Sequence, residues 1–437
     1  MNRPMNSVVI IGGGAAGMMA AVSVKEKNPE TQVMIFEKNP NLGAKVIISG
    51  GGRCNVTTGI HDRKKLLENY PRGATFLKTA IYDFPPEKVM EWFESHGVKL
   101  KTEEDLRVFP KSNNGKDVVG AMEKELTEKG TIFHLGKNVT SVVKKITENK
   151  QTKFVVTCKD GDTFEFDAVI ITTGGNAYRH TGSTGDGYAF AKALGHTITQ
   201  LGPSLSSFIL EESYMREMSG ISFERVRLTF IAGESASDPH ERTYHRTGAF
   251  LFTHKGVTGP AVFALSSLAA YEEITMIKKS TLSINFFPDE TPEALKKRIQ
   301  EAIEKNPKKH LINFLDFFLP KSLCAVFVNL LKIPGTEGVS NLRKEQRIEL
   351  VHMLQNMNFH IIGRGAGDEF VTAGGVELSE VNPNTMESKI CPGLYFAGEI
   401  LNIDGFTGGF NLQASWATGR IAGKNAALLL HTQKTSV

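Results

Sequence analysis

The stretch SVVIIGGGAAGMMAAVSVKEKNPETQVMIFEKN, residues 7–39, decides the fold. Ser7–Ile11 is short and rich in β-branched residues, the composition of a strand buried on both faces. Gly12, Gly14 and Gly17 follow as G-x-G-x-x-G. The first glycine permits a tight turn, the second lets backbone approach a pyrophosphate, and the third lets the next helix pack closely on the strand. That helix directs its N-terminal N–H groups and positive dipole end at phosphates. Gln32–Phe36 reads as a second strand ending at Glu37. A carboxylate there accepts hydrogen bonds from both ribose hydroxyls of an adenosine and repels a 2′-phosphate. Strand, triplet, helix, strand and acid in this order predict an α/β, Rossmann-type site for an ADP-containing dinucleotide. At this point NAD and FAD are equally served.

Directly after comes NLGAKVIISGGGRCNVTTG, residues 41–59. Gly50-Gly51-Gly52 imitates a second fingerprint, but Arg-Cys-Asn-Val-Thr-Thr is a poor helix start. The segment reads as a loop whose glycines bring backbone against a ligand, with Arg53 offering a fork of donors. Further on, TIFHLGKNVTSVVKK, KFVVTCKDG and TFEFDAVIITTGG alternate like meander strands. Ala168–Thr172 is continuously apolar, hence central in a sheet, and it stops at Thr173-Gly174-Gly175, which suits another close approach to the cofactor. Near the C-terminus, a buried strand at Leu394–Ala397 leads into Gly398-Glu399, a glycine-rich loop and a long helix starting near Asn411. A chain that opens a dinucleotide fold and returns to finish it here uses both ends for one cofactor. FAD needs that arrangement, because its pyrophosphate and ribitol are held apart from its flavin ring. No second strand-triplet-helix-acid unit appears, and GRGAGDEF (residues 363–370) lacks the spacing, so no preformed nicotinamide domain is expected.

Composition shifts divide the chain into 1–195 as the first part of an FAD-binding domain, 196–288 as a β-rich insert, 289–354 as a helical insert, 355–372 as the rest of the β-rich insert, and 373–437 as the C-terminal part of the FAD-binding domain. A length of 437 residues calls for more than one domain. The net charge of +4 is small, with basic residues read as spread along the chain, so no nucleic-acid partner is expected. Four separated cysteines fit a reducing compartment and offer no metal-site spacing. No secretory signal and no bilayer-spanning run is evident, so a cytoplasmic protein without a membrane partner is expected. Oligomeric state is not set by these features.

The fingerprint with Glu37, SGGGRCN (49–55), TTGG (172–175), TGSTGDGY (181–188), FTHKGVTGPA (252–261) and AGEILNIDGFTGGFNLQASWATG (397–419) together resemble the YhiN/BaiN-like flavoproteins, a group of FAD-dependent oxidoreductases that includes aminoacetone oxidases. More distantly, the GDG loop and the C-terminal segment resemble fumarate reductases and aspartate oxidases. The resemblance implies a glutathione-reductase-like FAD domain with a β-barrel-like insert and a small helical insert. It places Glu37 at the adenosine ribose and the backbone of Val139 at adenine, with Gly12, Gly14, Ala15, Ala16, Gly17 and Lys38 also counted as cofactor-binding. Lys45 and the loop Ser49, Gly50, Gly51, Gly52, Arg53, Cys54 and Asn55 lie along pyrophosphate and flavin, with Thr173 and Gly174 close by. Gly398 and Glu399 fall by the ribitol, and Gly409, Asn411, Leu412 and Gln413 at the carbonyl edge of the ring.

Catalytic candidates are Arg53 and Cys54, beside the flavin loop, and His254, which ends a strand in the insert and is its best general acid or base. Each has a structural alternative: Arg53 as a pyrophosphate partner, Cys54 as a packed thiol, His254 as a satisfied structural histidine. The expected activity is oxidation or reduction of a small organic molecule by hydride transfer at the flavin, in a cleft between FAD domain and insert, with NAD(P)H or oxygen as redox partner. Two other classes stay open, an RNA-modifying flavoprotein and a redox sensor without turnover.

Overall fold

A computed structural model describes residues 6–147, 152–233, 242–365 and 370–435, so residues 366–369 of the GRGAGDEF stretch lie outside it. The chain forms two compact units, residues 1–203 with 370–437, and residues 204–369.

The first unit is built on a parallel sheet. Strands β1 (Ser7–Ile11), β2 (Gln32–Glu37), β3 (Ile132–Leu135), β4 (Val139–Ile146) and β5 (Ala168–Ile171) arise in chain order, and helix α1 (Ala15–Lys27) joins β1 to β2. The sheet runs from the closing strand Leu394–Phe396 through β5, β1 and β2 to β3. Ile11 stands level with Phe36 on one side and Ile171 on the other. Gly12, Glu37 and Thr172 therefore leave the sheet side by side at its carboxyl edge, where open α/β sheets take their ligands. Every residue of β1 and β5 is buried, as strands covered on both faces must be.

The stretch read as one meander is divided between two sheets. Ile132–Leu135 pairs in parallel with β2 as the edge of the main sheet. β4 and the strands Thr152–Cys158 and Thr163–Phe166 form an antiparallel three-stranded sheet of their own. Alternation marks both kinds of strand, so it could not separate the short parallel edge from the hairpins that follow it.

Helix α2 (Ala44–Ile48) precedes the 49–58 segment, and helix α3 (Asp186–Ala193) follows the glycine-rich loop at 180–185. The C-terminal helix, Phe410–Thr435, packs along α1. Gly17 makes close packing possible at the start of α1. A Cβ there would stand 2.0 Å from the Gly12 carbonyl oxygen.

The second unit is a closed antiparallel barrel of six strands: β6 (Phe208–Leu210), β7 (Ser222–Ile231), β8 (Thr243–Phe252), β9 (Gly256–Thr258), β10 (Ser280–Asn285) and β11 (Met357–Arg364). Helix α4 (Pro260–Leu268) packs on β8. Between β10 and β11 the chain forms α5 (Pro292–Lys305), α6 (Leu311–Leu315), α7 (Lys321–Leu331) and α8 (Lys344–Gln355). Phe230, Leu282 and Phe359 of the barrel share one apolar cluster with Leu295, Phe314 and Phe327 of the helices. The helical insert is thus anchored by common core rather than tethered as a loose appendage. Among the described residues no helix is long and apolar enough to cross a membrane.

Candidate cofactor site

The carboxyl edge of the sheet carries a depression lined by Gly12, Glu37, Lys38, Val139, Thr173 and Asp186. Glu37 is fixed there from both sides. One carboxylate oxygen accepts from the Gly13 N–H and the other from the Asn39 N–H, each at 2.8 Å. A carboxylate so held keeps lone pairs for a ribose without rotating away. Lys38 reaches across to Asp186, 2.6 Å from its carboxylate, and also donates to the Thr184 hydroxyl. Burial pushes the Asp186 carboxyl upward, but the hydrogen bonds from Lys38 and Thr184 outweigh it and hold the group below the usual range. Asp186 did not stand out in the sequence as a site residue. Its position at the first turn of a helix following a glycine-rich loop was the available signal.

The residues present fit an ADP-containing cofactor. No side chain caps the N-terminus of α1 at Gly14, and its first turn carries no acid. A Cβ at Gly14 would meet nothing within 4 Å. The protein does not need that position to be glycine, whereas a pyrophosphate pressed against the helix end does. Gly51 and Gly52 also leave open space where a Cβ would point, but their φ in the left-handed region favours glycine in its own right. The Thr173 hydroxyl and the Asn176 side-chain amide oxygen are buried with no hydrogen-bond partner among the described residues, beside Gly174 and its positive φ. Orphaned polar atoms of this kind call for a partner the chain does not supply.

A second arrangement surrounds the start of the C-terminal helix. The Gln413 carboxamide is fully buried; its oxygen accepts from the Thr57 hydroxyl at 2.6 Å and its nitrogen donates to the Phe84 carbonyl at 2.7 Å. Asn411 closes the 405–411 loop by accepting from the Gly405 N–H and donating to the Gly405 carbonyl, both at 2.8 Å. With its amide oriented so that oxygen faces the donor and nitrogen the acceptors, the Asn55 carboxamide spans from the Gly409 N–H to the Thr57 and Val108 carbonyls. Trp416 donates its indole N–H to the Val56 carbonyl at 2.9 Å, and Tyr70 donates to the Phe410 carbonyl at 2.8 Å. Gly409 sits so tightly that a Cβ would fall 2.2 Å from the Thr57 carbonyl oxygen. The side chains of Asn411 and Gln413 are thereby spent within the protein. What this helix end can offer a flavin is backbone N–H, from the turn that holds Leu412. The buried Arg72–Asp404 pair, fork to carboxylate, braces the loop from beneath.

Lys45 and Glu399 meet at 2.7 Å, and the other Glu399 oxygen accepts from the Thr372 N–H at 2.9 Å. Gly398 donates its N–H to the Thr418 hydroxyl. The Ser49 hydroxyl donates to the Val46 carbonyl and so belongs to the turn itself.

The three catalytic candidates fare differently. Arg53 donates to Glu103 at 2.7 Å and lies over the Phe109 ring at 3.8 Å, which fixes its guanidinium. Cys54 is fully buried, and burial pushes its thiol up to about 12. It is protonated at neutral pH, which removes the thiolate a redox or nucleophilic role requires. His254 belongs to the second unit, exposed in the turn between β8 and β9. Among the described residues no group of three His, Cys, Asp or Glu is placed to hold a metal ion.

A profile of the HI0933-like protein Rossmann domain matches residues 6–425. The chain belongs to this family. It is an FAD-dependent oxidoreductase, with FAD as its cofactor. A relative named 3-dehydro-bile acid delta(4,6)-reductase, from Clostridium scindens, is 30% identical over 427 residues, 97% of this chain and 99% of that protein. A relative from Escherichia coli named ribosomal RNA dihydrouridine synthase is 28% identical over 411 residues, 94% of this chain and 95% of its own length. Among solved structures, the 3-ketosteroid-delta4-(5alpha)-dehydrogenase of Rhodococcus jostii RHA1 shares the fold, with a TM-score of 0.50, 16% identity and 98% coverage of both chains.

Proposed function

We propose that this protein reduces a carbon–carbon double bond conjugated to a carbonyl group in a small organic ring. One observation carries the reading. Two relatives aligned along nearly their whole length bear names for different substrates but for one kind of chemistry. A 3-oxo steroid nucleus unsaturated at carbon 4 and a uracil ring both present an alkene in conjugation with a carbonyl. In each the alkene takes up a hydride at the carbon remote from the carbonyl and a proton at the carbon beside it. Bound FAD in its reduced state supplies the hydride equivalent, replenished by a reduced nicotinamide from solution.

The chain's own contribution is electrostatic. As hydride adds, negative charge grows on the carbonyl oxygen, and a fixed donor there lowers the barrier. Arg53 suits that task, because Glu103 and Phe109 hold its guanidinium in place while other N–H donors of the fork stay available. Prior fixation matters, since a donor that need not reorganise costs nothing when the charge appears. A second reading, with the ring being a uracil within RNA, draws on the charge of the helical insert described below.

Anaerobic stopped-flow mixing of the reduced holoenzyme with a panel of conjugated ketones, uridine, fumarate and simple amines tests the proposal. Conjugated ketones should reoxidise the flavin fastest and yield the saturated ketone. Arg53→Met should slow that step tenfold or more at unchanged FAD content, consistent with loss of one oxyanion donor. Reoxidation by none of the conjugated compounds, together with rapid reduction of the oxidised enzyme by amines, would contradict it and indicate an amine oxidase.

A further inference from the structure

The net charge of the whole chain is +4, yet residues 305–344 alone carry seven lysines and arginines against two acids, Asp316 and Glu337, a net +5. The positive charge is therefore not spread along the chain as a first reading of the sequence has it. It gathers between the last residue of α5 and the first residue of α8, while acids on either side bring residues 289–354 as a whole to +2.

Backbone contacts gather part of this charge in one place. The Val339 N–H donates to the Lys309 carbonyl and the Ser340 N–H to the Pro307 carbonyl. Lys308 and Lys309 thus run beside the turn that leads to Arg343, with Lys305 one turn upstream. Among the described residues, the insert's ion pairs join Lys297 to Glu301 within α5 and Arg298 of α5 to Glu290 just before it, both ahead of this stretch. An aromatic ring stands in the same cluster. Phe317 is 51% exposed, and the Lys309 ammonium lies 3.9 Å from its centroid.

A lysine face that only kept the protein soluble would have no use for a half-exposed phenyl ring among the ammonium groups. A single-stranded nucleic acid satisfies both, because its phosphates pair with the cations and its bases stack on the ring. We propose that Lys305, Lys308, Lys309, Arg343 and Phe317 form a face that holds single-stranded RNA. This inference rests on the proposed reduction of a conjugated ring, since uracil places such an alkene within an RNA chain.

The test uses the FAD-loaded enzyme and a fluorescein-labelled, uridine-rich RNA 20-mer, with binding read by anisotropy across a salt series. Four neutralised phosphates should give a slope of log K against log salt near about −2.8. Phe317→Ala should weaken binding about 5- to 100-fold, and Phe317→Leu should do the same while preserving apolar contacts. Lys308→Glu with Lys309→Glu should flatten the salt slope and reduce binding further. Lys64→Glu with Lys65→Glu, an equal charge change in the first unit, should alter neither. Binding that ignores salt, responds equally to both lysine pairs, or is displaced by anionic phosphatidylglycerol vesicles at matched charge would overturn the inference. Reduction of a free conjugated ketone is followed in parallel. If that activity is present and RNA is not bound, the face falls and the proposed reaction stands. If RNA binds through these residues and no conjugated alkene is reduced, the face stands and the reaction falls.

Discussion

The opening of the chain and its C-terminal return contribute to the same fold by opposite means. From Ser7 to Glu37 the structure is held by apolar strands, a helix of small residues and backbone hydrogen bonds, with Glu37 the main polar side chain pinned at the edge. The return, from about residue 380 to 416, is held by buried polar side chains whose partners lie far away in sequence. Asp404 meets Arg72, Gln413 meets Thr57 and Phe84, and Ser388 meets His196. The first region presents bare backbone to a ligand because nothing else is there. The second reaches the same end by using polar side chains such as Asp404, Asn411 and Gln413 to keep the backbone in place.

The strongest consequence concerns Asp404, whose carboxylate is fully enclosed and paired with Arg72. Asp404→Ala leaves the largely enclosed Arg72 guanidinium, 15% exposed, without the Asp404 counterion, which costs up to roughly 3–5 kcal/mol. Chemical denaturation should show a loss of that size. The double variant Asp404→Leu with Arg72→Met should recover much of it, because the penalty comes from the orphaned charge. A loss below about 1 kcal/mol in the single variant would mean that the return does not depend on its polar contacts and would erase the contrast.

That contrast also explains what could be read from the sequence. The strand, triplet, helix and acid of the opening are contiguous, so their order and spacing carry the geometry. Gly17 is glycine because a Cβ there would fall 2.0 Å from the carbonyl oxygen of Gly12, five residues up the chain. The return was legible as glycine-rich loop and helix, but Asn411 and Gln413 read as ligands for the flavin edge. Nothing local distinguishes an exposed carboxamide at a helix start from one locked to Thr57, which arrives from 356 positions earlier. The Arg53–Glu103 pair and the Lys38–Asp186 bridge escaped for the same reason. The charge of the insert was visible in the residues all along, and only the whole-chain average concealed it.

A smaller effect should appear with pH. His196 is buried between Glu380 at 3.1 Å and the Ser388 hydroxyl at 2.7 Å, and burial, opposed by Glu380, lowers its pKa below the ordinary value. The unfolded chain therefore takes up this proton at a higher pH than the folded one does. Stability is fully present above about 6.5 and declines as pH falls from there toward the lowered folded-state value. Melting temperatures from pH 8 to 5 should show this decline, and His196→Gln should reduce the slope. An identical slope in the variant would remove His196 from the account and leave the return insensitive to acid at this point.

The central claim is that open backbone at the carboxyl edge of the sheet is kept for FAD and not for the protein's own packing. Gly14 tests it most directly, because its φ of −81° suits any residue and a Cβ there meets no atom within 4 Å. Isothermal titration of apoprotein with FAD, alongside denaturation of the same samples, compares Gly14→Ala with the parent. The account predicts apoprotein stability within about 1 kcal/mol of the parent, the range of a change at a helix N-cap. It predicts FAD affinity at least tenfold weaker, about 1.4 kcal/mol. Unchanged affinity for FAD in a variant that folds normally would contradict it.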